Sequence, residues 1–413
     1  MSFDLPVTGN RERPRPENGT FYPALDGLRA LAFMMVFFQH YNQLPWGWAG
    51  VDLFFVLSGF LITGILFDTR DHPYRVQNFY VRRTLRIFPL YYGVMLGLVL
   101  LYPLAHWQKS WEWLLWPVYL GNFGRYLDPY GAGSVLHSVA EFKLHGMFRN
   151  GEVTLYLGHL WSLCVEEQFY LVWPWLVFWI RDRVKLLWIC AATLPICLAL
   201  RLAAQHSLPG WMLDREVLYF ATPFRLDAIF LGGLVALALR GPHGRALLRA
   251  ARIALPVLCG LILIYLCVTP ARHLMTQPYP YPAWKLTWGL SVIDLLAAAL
   301  VLVAIQPDAL VCRVFQLPPL RWLGRITYSA YVLHDLPHTF YIKMACVLCP
   351  THARLGTSLI ALYSTIVLAW LSFRFFERPF LNLKDRWTLH GARSVQIPAV
   401  SASEPRMEQA ALV

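Results

Sequence analysis

The sequence predicts an all-α, polytopic membrane protein with about ten transmembrane helices and both termini in the cytoplasm. Its composition is apolar: 57% of the 413 residues are hydrophobic, 15% are charged, and the mean hydropathy is +0.45. In soluble proteins about a quarter of the residues are charged. Apolar runs of about 20 residues, the length needed to cross a bilayer, recur along the chain between basic connections.

The predicted spans follow one another without an internal repeat. They cover residues 27–45, 50–68, 87–104, 160–180, 186–204, 223–240, 252–270, 284–305, 323–346 and 357–377. With the N-terminus inside, the inner connections carry 24 of the 36 Lys and Arg residues and the outer ones 10, while Arg29 and Arg225 lie within spans. This bias agrees with the positive-inside rule and sets the orientation.

The segments outside the spans are short apart from one outer loop. We predict a polar cytoplasmic segment at 1–20, a membrane domain at 21–380 that includes the outer loop 105–159, and a disordered cytoplasmic tail at 381–413. Within the loop, the aromatic stretch 111–123 is short and interrupted, so we interpret it as interfacial or re-entrant. If it spanned the membrane, the orientation of every later segment would invert.

The first span carries an ionisable residue near each end of its apolar run. Arg29 and His40 are separated so that they lie within about 20° of one another around a helix and about 16 Å apart along it. Ionisable groups inside a bilayer are costly unless they face a site or a partner. The pair therefore indicates a functional helix face, although each residue alone also fits an interfacial position.

Asp52 begins the second span at about the depth at which His40 ends the first. A carboxylate beside an imidazole fixes the tautomer of the ring and stabilises its protonated form, as a general base requires. We therefore predict a catalytic pair of His40 and Asp52 facing the outer side. The alternative is that Asp52 is a first-turn residue stabilised by the helix dipole.

Three arginines, Arg82, Arg83 and Arg86, precede the third span on its inner side. Arginine binds phosphate through two parallel hydrogen bonds, so these residues are candidates for binding a phosphate-bearing substrate from the cytoplasm. The positive-inside rule alone also explains arginines at this position.

Two adjacent carboxylates, Glu166 and Glu167, lie two turns inside the fourth span. Because exposure of both to lipid would be costly, we predict that one faces a cavity and the other a buried partner. The other ionisable residues within later spans include Arg225, Asp227, Asp294, His334 and Asp335. Of these, Arg225 and Asp227 could satisfy neighbours rather than a substrate, and Asp294 could pair two helices.

The order of these motifs resembles the acyltransferase 3 family of multi-pass membrane acyltransferases, which includes bacterial O-acetylases of lipopolysaccharide, peptidoglycan and other glycans. The matching stretches are Leu25–Arg29 with His40, residues 50–60 (GVDLFFVLSGF), 82–89 (RRTLRIFP), 162–170 (SLCVEEQFY), 328–334 (YSAYVLH) and 376–379 (FERP). Each motif is weak alone, but six in this order extend over nearly the whole membrane domain.

The resemblance implies a ten-span fold, acyl-CoA as a donor taken from the cytoplasm, and transfer of an acyl group, usually acetyl, to a hydroxyl. By motif position, Arg29 and His40 match the essential pair of the family. We expect acyl-CoA as a substrate and no bound cofactor. No metal site is expected, because the C-x-x-C of Cys346 and Cys349 has no matching ligands nearby.

We therefore predict a multi-pass enzyme of the plasma (bacterial inner) membrane that acylates a glycan, a lipid-linked sugar or a small hydroxylated acceptor at the outer face. His40 would deprotonate the hydroxyl or transiently carry the acyl group. The predicted site comprises His40, Asp52 and Glu167 as catalytic residues, Arg29, Arg82, Arg83 and Arg86 as donor-binding residues, and Glu166 and His334 on the acceptor side.

Two other classes of protein stay open at this point. A proton- or ion-coupled transporter would also carry intramembrane His, Asp and Glu, but such proteins more often show broken helices and repeats. A lipid-linked glycosyltransferase would need an acidic pair in the first outer loop, and residues 41–49 contain no acid. The net charge of +12 follows from the topology and does not indicate a nucleic-acid partner.

Overall fold

The computed structural model describes residues 22–41, 44, 46–101, 114–126, 141–148, 151–214, 216–268 and 282–389. The helices of the first half are α1 (Pro23–His40), α2 (Ala49–Asp68), α3 (Arg75–Leu101), α4 (Trp161–Trp179), α5 (Arg183–Ser207), α6 (Gly210–Asp214), α7 (Val217–Phe220) and α8 (Leu226–Leu239). Those that follow are α9 (Gly244–Val268), α10 (Leu290–Ala304), α11 (Leu310–Phe315), α12 (Pro318–Arg325), α13 (Thr327–Leu333), α14 (His338–Leu348), α15 (Ala353–Leu371) and α16 (Arg378–Trp387).

Shorter helical turns connect some of these elements. A π-helical turn at Lys285–Gly289 runs directly into α10, and another at Ser372–Glu377 joins α15 to α16. The 3-10 turns are Gly121–Tyr126, Gly158–Leu160, Thr222–Phe224 and Pro350–His352.

Six stretches of the described residues are long and apolar enough to cross a membrane. They are Ala49–Asp68, Arg75–Leu101, Arg183–Ser207, Gly244–Tyr265, Lys285–Ala304 and Pro350–Lys384, and α8 is apolar but shorter. The predominantly helical membrane fold is therefore confirmed, whereas the number of ten spans and the cytoplasmic location of both termini stay predictions. The segment 1–20 and residues 390–413 lie outside the described residues, and α16 carries the helical part past the predicted tail boundary at 381.

The predicted span 323–346 is not one continuous helix. It is divided into the end of α12, α13 and α14, and residues 334–337 between α13 and α14 are not helical. Pro337 explains the interruption, because proline has no N–H to donate to the preceding turn and its ring clashes with the helix. The transporter class is disfavoured partly because no broken helix is found in the sequence. The structure contains this break, and it carries His334 and Asp335.

The all-α prediction missed a β-hairpin in the loop before α4. Strand β1 (Glu141–Phe148) pairs antiparallel with β2 (Gly151–Tyr156), so that Glu141 lies opposite Tyr156 and Phe148 opposite Gly151. The backbone N–H of Tyr156 donates to the carbonyl of Leu336, 3.0 Å away. The hairpin is therefore attached to the break between α13 and α14.

The centre of the fold is the contact between α2 and α8. Gly59 of α2 faces the carbonyl of Ile229, and Gly232 of α8 faces the carbonyl of Val56, so closely that a methyl group at either glycine would overlap those atoms. Close approach through small residues is the usual way in which membrane helices pack, since lipid leaves little hydrophobic driving force between them. This contact fixes the depth of α2, and therefore of Ser58 and Asp52.

The stretch predicted to be interfacial or re-entrant is only partly described. Residues 114–126 form short turns rather than a helix of spanning length, and residues 102–113 lie outside the described residues. The hydroxyls of Tyr91 and Tyr92 on α3 donate to the carbonyls of Trp116 and Pro117, at 2.7 and 2.8 Å. The described part is thus bound to the side of α3.

Candidate active site

His40, the last residue of α1, lies against Asp335 in the break between α13 and α14. The distance from His40 Nδ1 to Asp335 Oδ2 is 3.0 Å, and 29% of the His40 side chain is exposed against 9% for Asp335. Tyr41 holds the two segments together, because its hydroxyl donates to the carbonyl of His334 at 2.8 Å. A carboxylate this close to Nδ1 favours the tautomer that carries the proton there, which leaves Nε2 as the basic nitrogen of the neutral ring.

Three further histidines surround this pair. The other oxygen of Asp335 lies 2.8 Å from Nδ1 of His338, and Asp335 Oδ2 lies 3.9 Å from Nδ1 of His159. The ring of His334 packs edge-on against both His40 and His159, with centroids 5.0 and 4.9 Å away. Within the described ranges, no group of three or more His, Cys, Asp or Glu is arranged to share a metal ion.

His334 was predicted on the acceptor side, but the structure buries it completely behind His40. Its Nδ1 is 2.6 Å from the carbonyl of Tyr331, one turn earlier on α13. His334 therefore supports the position of the His40 ring and does not itself reach an accessible surface. The partly exposed imidazoles at Asp335 are those of His40 and His338.

Hydrogen bonds of Tyr331, Ser162 and His159 connect α13 with α4 and the turn that precedes it. The Tyr331 hydroxyl donates to the carbonyl of His159 at 2.8 Å and lies 2.5 Å from the hydroxyl of Ser162. The Nε2 of His159 is 3.0 Å from the carbonyl of Val332. These bonds join α13 to α4 and to the turn that precedes it, and they hold the segments in one register.

The predicted pairing of His40 with Asp52 is wrong. Asp52 is completely buried, and its Oδ1 accepts a hydrogen bond from Arg225 at 2.5 Å. Nearby, Arg201 donates to Asp227 at 2.7 Å, and Asp294 is buried beside these carboxylates. The depth of Asp52 was compatible with a contact to His40, but the face of α2 that carries it packs against α8 and its arginine.

The two glutamates of α4 share Arg83 of α3. Arg83 Nη2 lies 3.4 Å from Glu166 and its Nε lies 3.6 Å from Glu167, while its guanidinium stacks 3.6 Å over the Tyr170 ring. Glu166 also accepts hydrogen bonds from Ser58 at 2.7 Å and from Tyr170 at 3.1 Å. Glu166 was predicted on the acceptor side, yet its charge is compensated within the protein. Arg83, predicted to bind phosphate, is likewise occupied by carboxylates.

The remaining predicted arginines are more accessible. Arg82 and Arg86 are exposed and share one face of α3. Arg29 keeps 29% of its side chain exposed, makes only a 3.5 Å contact with Asp26, and lies within electrostatic range of Arg86. Arg29 lies eleven residues before His40 on α1, so its charge is about 16 Å from His40 along the helix.

The residues that sequence reasoning left out of the site are Asp335, His159 and His338. The pattern His-Asp-Leu-Pro-His at 334–338 held a usable signal, because a proline after two ionisable residues breaks an apolar span at that point. The distance from His40 to Asp335 depends on long-range packing, and no local pattern reports it.

A family model described as an acyltransferase domain matches residues 22–376. The chain is 29% identical over 371 residues to the peptidoglycan O-acetyltransferase OatA of Listeria monocytogenes, an alignment that covers 87% of this chain and 56% of that protein. It is 28% identical over 385 residues to a putative peptidoglycan O-acetyltransferase of Bacillus subtilis, covering 88% of this chain and 56% of that protein.

A third relative is a putative O-acetyltransferase of Staphylococcus aureus, 27% identical over 390 residues, with 87% of this chain and 57% of the relative covered. The chain therefore matches a little over half the length of these curated relatives. No solved structure matches the chain.

Proposed function

The chain belongs to the acyltransferase family whose model it matches from residue 22 to residue 376, and we propose that it is a membrane-embedded O-acyltransferase. It moves an acyl group, acetyl as in the names of the relatives, from cytoplasmic acyl-CoA to a hydroxyl of a glycan at the outer face of the plasma membrane. The relatives give the transporter alternative no support.

The observation that carries the proposal is the pair of His40 and Asp335, 3.0 Å apart. A buried carboxylate beside Nδ1 keeps the proton there and leaves the lone pair on Nε2, in a side chain that is 29% exposed. Nε2 takes the proton of the acceptor hydroxyl as the oxygen attacks the thioester carbonyl. The carbon–sulfur bond then breaks, and the same proton passes from Nε2 to the thiolate of CoA. No net proton is gained or lost.

The donor lies along α1 in this proposal. The phosphates of acyl-CoA bind Arg82, Arg86 and Arg29, whose guanidiniums are not neutralised by strong ion pairs in the described structure. From Arg29 to His40 the distance along α1 is about 16 Å, which an extended pantetheine arm can cover. The donor thus enters from one side and presents its thioester to a base that faces the other.

The proposed function is tested by measuring acyl transfer by the purified full chain in detergent or nanodiscs. Acetyl-CoA is supplied with a glycan acceptor, and release of CoA thiol and acetylation of the acceptor are measured together. We expect acceptor-dependent release in the wild type and a loss of about 10²–10⁴-fold for His40→Gln, the usual contribution of a general base. His206→Gln, a substitution of an exposed histidine at the end of α5, is the matched control and should be unaffected.

Two results would overturn this assignment. If no glycan acceptor caused release of CoA, the proposed activity would be wrong. If His40→Gln turned over near the wild-type rate, His40 would not be the general base.

A further inference from the structure

A group of buried charges lies where α2, α5, α8 and α10 meet, and the proposed mechanism uses none of them. Asp52, Asp227, Asp294, Arg201 and Arg225 are each at most 2% exposed. Two ion pairs, Arg225 with Asp52 and Arg201 with Asp227, account for four of these residues. Asp294, on α10, is the third carboxylate, and no donor in the described structure makes a hydrogen bond to either of its oxygens.

The carboxyl of Asp294 is in hydrogen-bonding contact with that of Asp52 on α2. An ionised carboxylate only accepts hydrogen bonds, so two of them in contact cannot bond to each other. A protonated carboxyl, in contrast, has an O–H that can donate. Oδ2 of Asp52 has no other donor among the described residues, so it can accept from Asp294. The contact is therefore explained if one of the two carboxyls carries a proton.

The two arginines direct their hydrogen bonds to the other carboxylates. Arg225 donates to Oδ1 of Asp52 at 2.5 Å. It attracts Asp294 electrostatically but makes no hydrogen bond to it in the described structure. Arg201 donates to Asp227 at 2.7 Å. Asp294 therefore lies against another acid, while each guanidinium is paired elsewhere.

The charges of the group do not balance. It contains three carboxylates and two guanidiniums. Lys285, in the π-helical turn before α10, also acts on Asp52, but its larger electrostatic partner is Glu216, and both residues are buried. These two residues add one charge of each sign and leave one negative charge in excess. A buried charge without a counterion is strongly disfavoured in a membrane, and a single bound proton removes it.

We propose that Asp294 binds a proton and donates it in a hydrogen bond to Asp52, so that α10 and α2 are joined through a shared proton. The proton lies on Asp294 because Arg225 stabilises the ionised form of Asp52. A buried water molecule could pair with the remaining donor atoms of Arg225, but it would leave the excess charge in place. Across the described ranges, no group of three or more His, Cys, Asp or Glu is arranged to hold a metal ion, so a proton fits the group better than a metal cation.

The shared proton makes the contact between α2 and α10 sensitive to alkaline pH. Aspartates of the unfolded chain are ionised above about pH 5, whereas the native protein keeps one proton on Asp294. The native state then binds more protons than the unfolded state, so its stability falls as pH rises. Once the proton is lost, Asp294 and Asp52 repel each other inside the membrane.

The shared proton is tested by equilibrium unfolding of the purified full chain in mixed detergent micelles between about pH 6 and about pH 8. Asp294→Asn keeps the shape of the protonated carboxyl and an N–H donor for Asp52, but it has no proton to lose. We expect the folding equilibrium constant of the wild type to fall about tenfold per pH unit relative to this variant, the linkage of one proton. A ratio that does not change with pH would overturn the proposal.

The comparison with Asp294→Asn removes the contributions of the other titratable groups, which both proteins share. Those that face the group are Cys197 of α5, Tyr219 of α7, Asp227 of α8, and Glu216 and Lys285. Asp68→Asn is the matched control on α2, because its carboxylate is 29% exposed and pairs with Arg240 at the end of that helix. This control should keep the pH dependence of the wild type.

Infrared spectroscopy detects the proton without an unfolding step. Wild-type protein whose aspartates carry heavy carbon at the side-chain carboxyl should show, at neutral pH, the C=O stretching band of a protonated carboxyl, shifted by the label. The band should be lost in Asp294→Asn and kept in Asp68→Asn. If the wild type showed no band of a protonated aspartate, the proposal would be wrong even if Asp294→Asn did not fold.

A metal cation is the remaining competitor for the same excess charge. We expect the stability of the wild type to be the same when Na⁺ is exchanged for a bulky organic cation at constant ionic strength and pH. Stabilisation by Na⁺ that is absent from Asp294→Asn would show that a metal cation, and not a proton, neutralises the group. None of these measurements uses acyl transfer, so their outcome is independent of the proposed function.

Discussion

Asp335 lies 3.0 Å from His40, although the two residues come from opposite ends of the membrane domain. Each stands where a helix ends, His40 at the last residue of α1 and Asp335 in the break after α13. A general base needs a fixed tautomer and a free nitrogen, and this contact supplies both. The site thus depends on docking α1 against a broken helix.

Substitution of Asp335 by Asn should lower kcat by about 10²–10⁴-fold with little change in donor KM. The amide can donate to His40, which would move the ring proton to Nε2 and remove the lone pair that accepts the substrate proton. Steady-state transfer rates at matched folded protein check this. His338→Gln removes the other imidazole from the same carboxylate and should have a much smaller effect. A rate for Asp335→Asn within threefold of wild type would contradict the prediction.

Substitution of Asp52 by Ala should affect stability rather than chemistry. It leaves the Arg225 guanidinium buried without its partner, and breaking a buried ion pair costs about 3–5 kcal/mol. We expect a lower unfolding temperature in detergent and poor expression, with near-normal activity per folded molecule. Arg225→Gln should give a similar loss of stability. Normal stability with abolished activity would instead restore Asp52 to the catalytic group.

Glu166 and Glu167 should respond differently to the same change. Glu166→Gln weakens bonds from Ser58, Tyr170 and Arg83, so we expect it to destabilise the protein by about 1–3 kcal/mol. Glu167→Gln affects a carboxylate whose contact with Arg83 is a longer ion pair of 3.6 Å, so it should unfold closer to the wild-type temperature. Thermal unfolding of both variants in one detergent compares them directly. An equal loss of stability would contradict the distinction.

Replacement of Arg82 and Arg86 by Gln should weaken acyl-CoA binding about tenfold or more, because each charge-assisted hydrogen bond to phosphate is strong. The loss should be smaller for a thioester without phosphates. Arg249→Gln, another exposed arginine on an inner connection, is the control for topology alone. Donor affinity that is unchanged in the double variant, measured by equilibrium binding, would leave these arginines as topology determinants.

The orientation can be checked by thiol labelling of Lys143→Cys and Lys384→Cys in a background whose native cysteines are replaced. The excess of Lys and Arg on the inner connections predicts that these positions lie on opposite sides of the membrane. An impermeant reagent should label the first from outside and the second only after the membrane is opened. Labelling of both from the same side would show that the outer loop spans.

The sequence by itself determined the class of the protein and most of the residues of interest. Apolar runs and the order of six motifs predicted a helical membrane protein of the acyltransferase 3 family, and the family match over residues 22–376 agrees. Arg29, His40 and the two glutamates were found because ionisable residues inside apolar segments are costly and therefore few.

Only the tertiary structure decided which of these residues meet. Asp52 and Asp335 were both carboxylates within predicted spans, but the face of α2 directs Asp52 to Arg225, whereas Asp335 lies in the break before Pro337 and contacts His40. Likewise, Glu166 and Glu167 are adjacent in the sequence, and only the packing shows that Glu166 accepts hydrogen bonds from Ser58 and Tyr170 whereas Glu167 has a 3.6 Å ion pair with Arg83. Depth along a helix follows from residue count, but the partner of a side chain depends on contacts between segments far apart in the chain, which local periodicity does not encode.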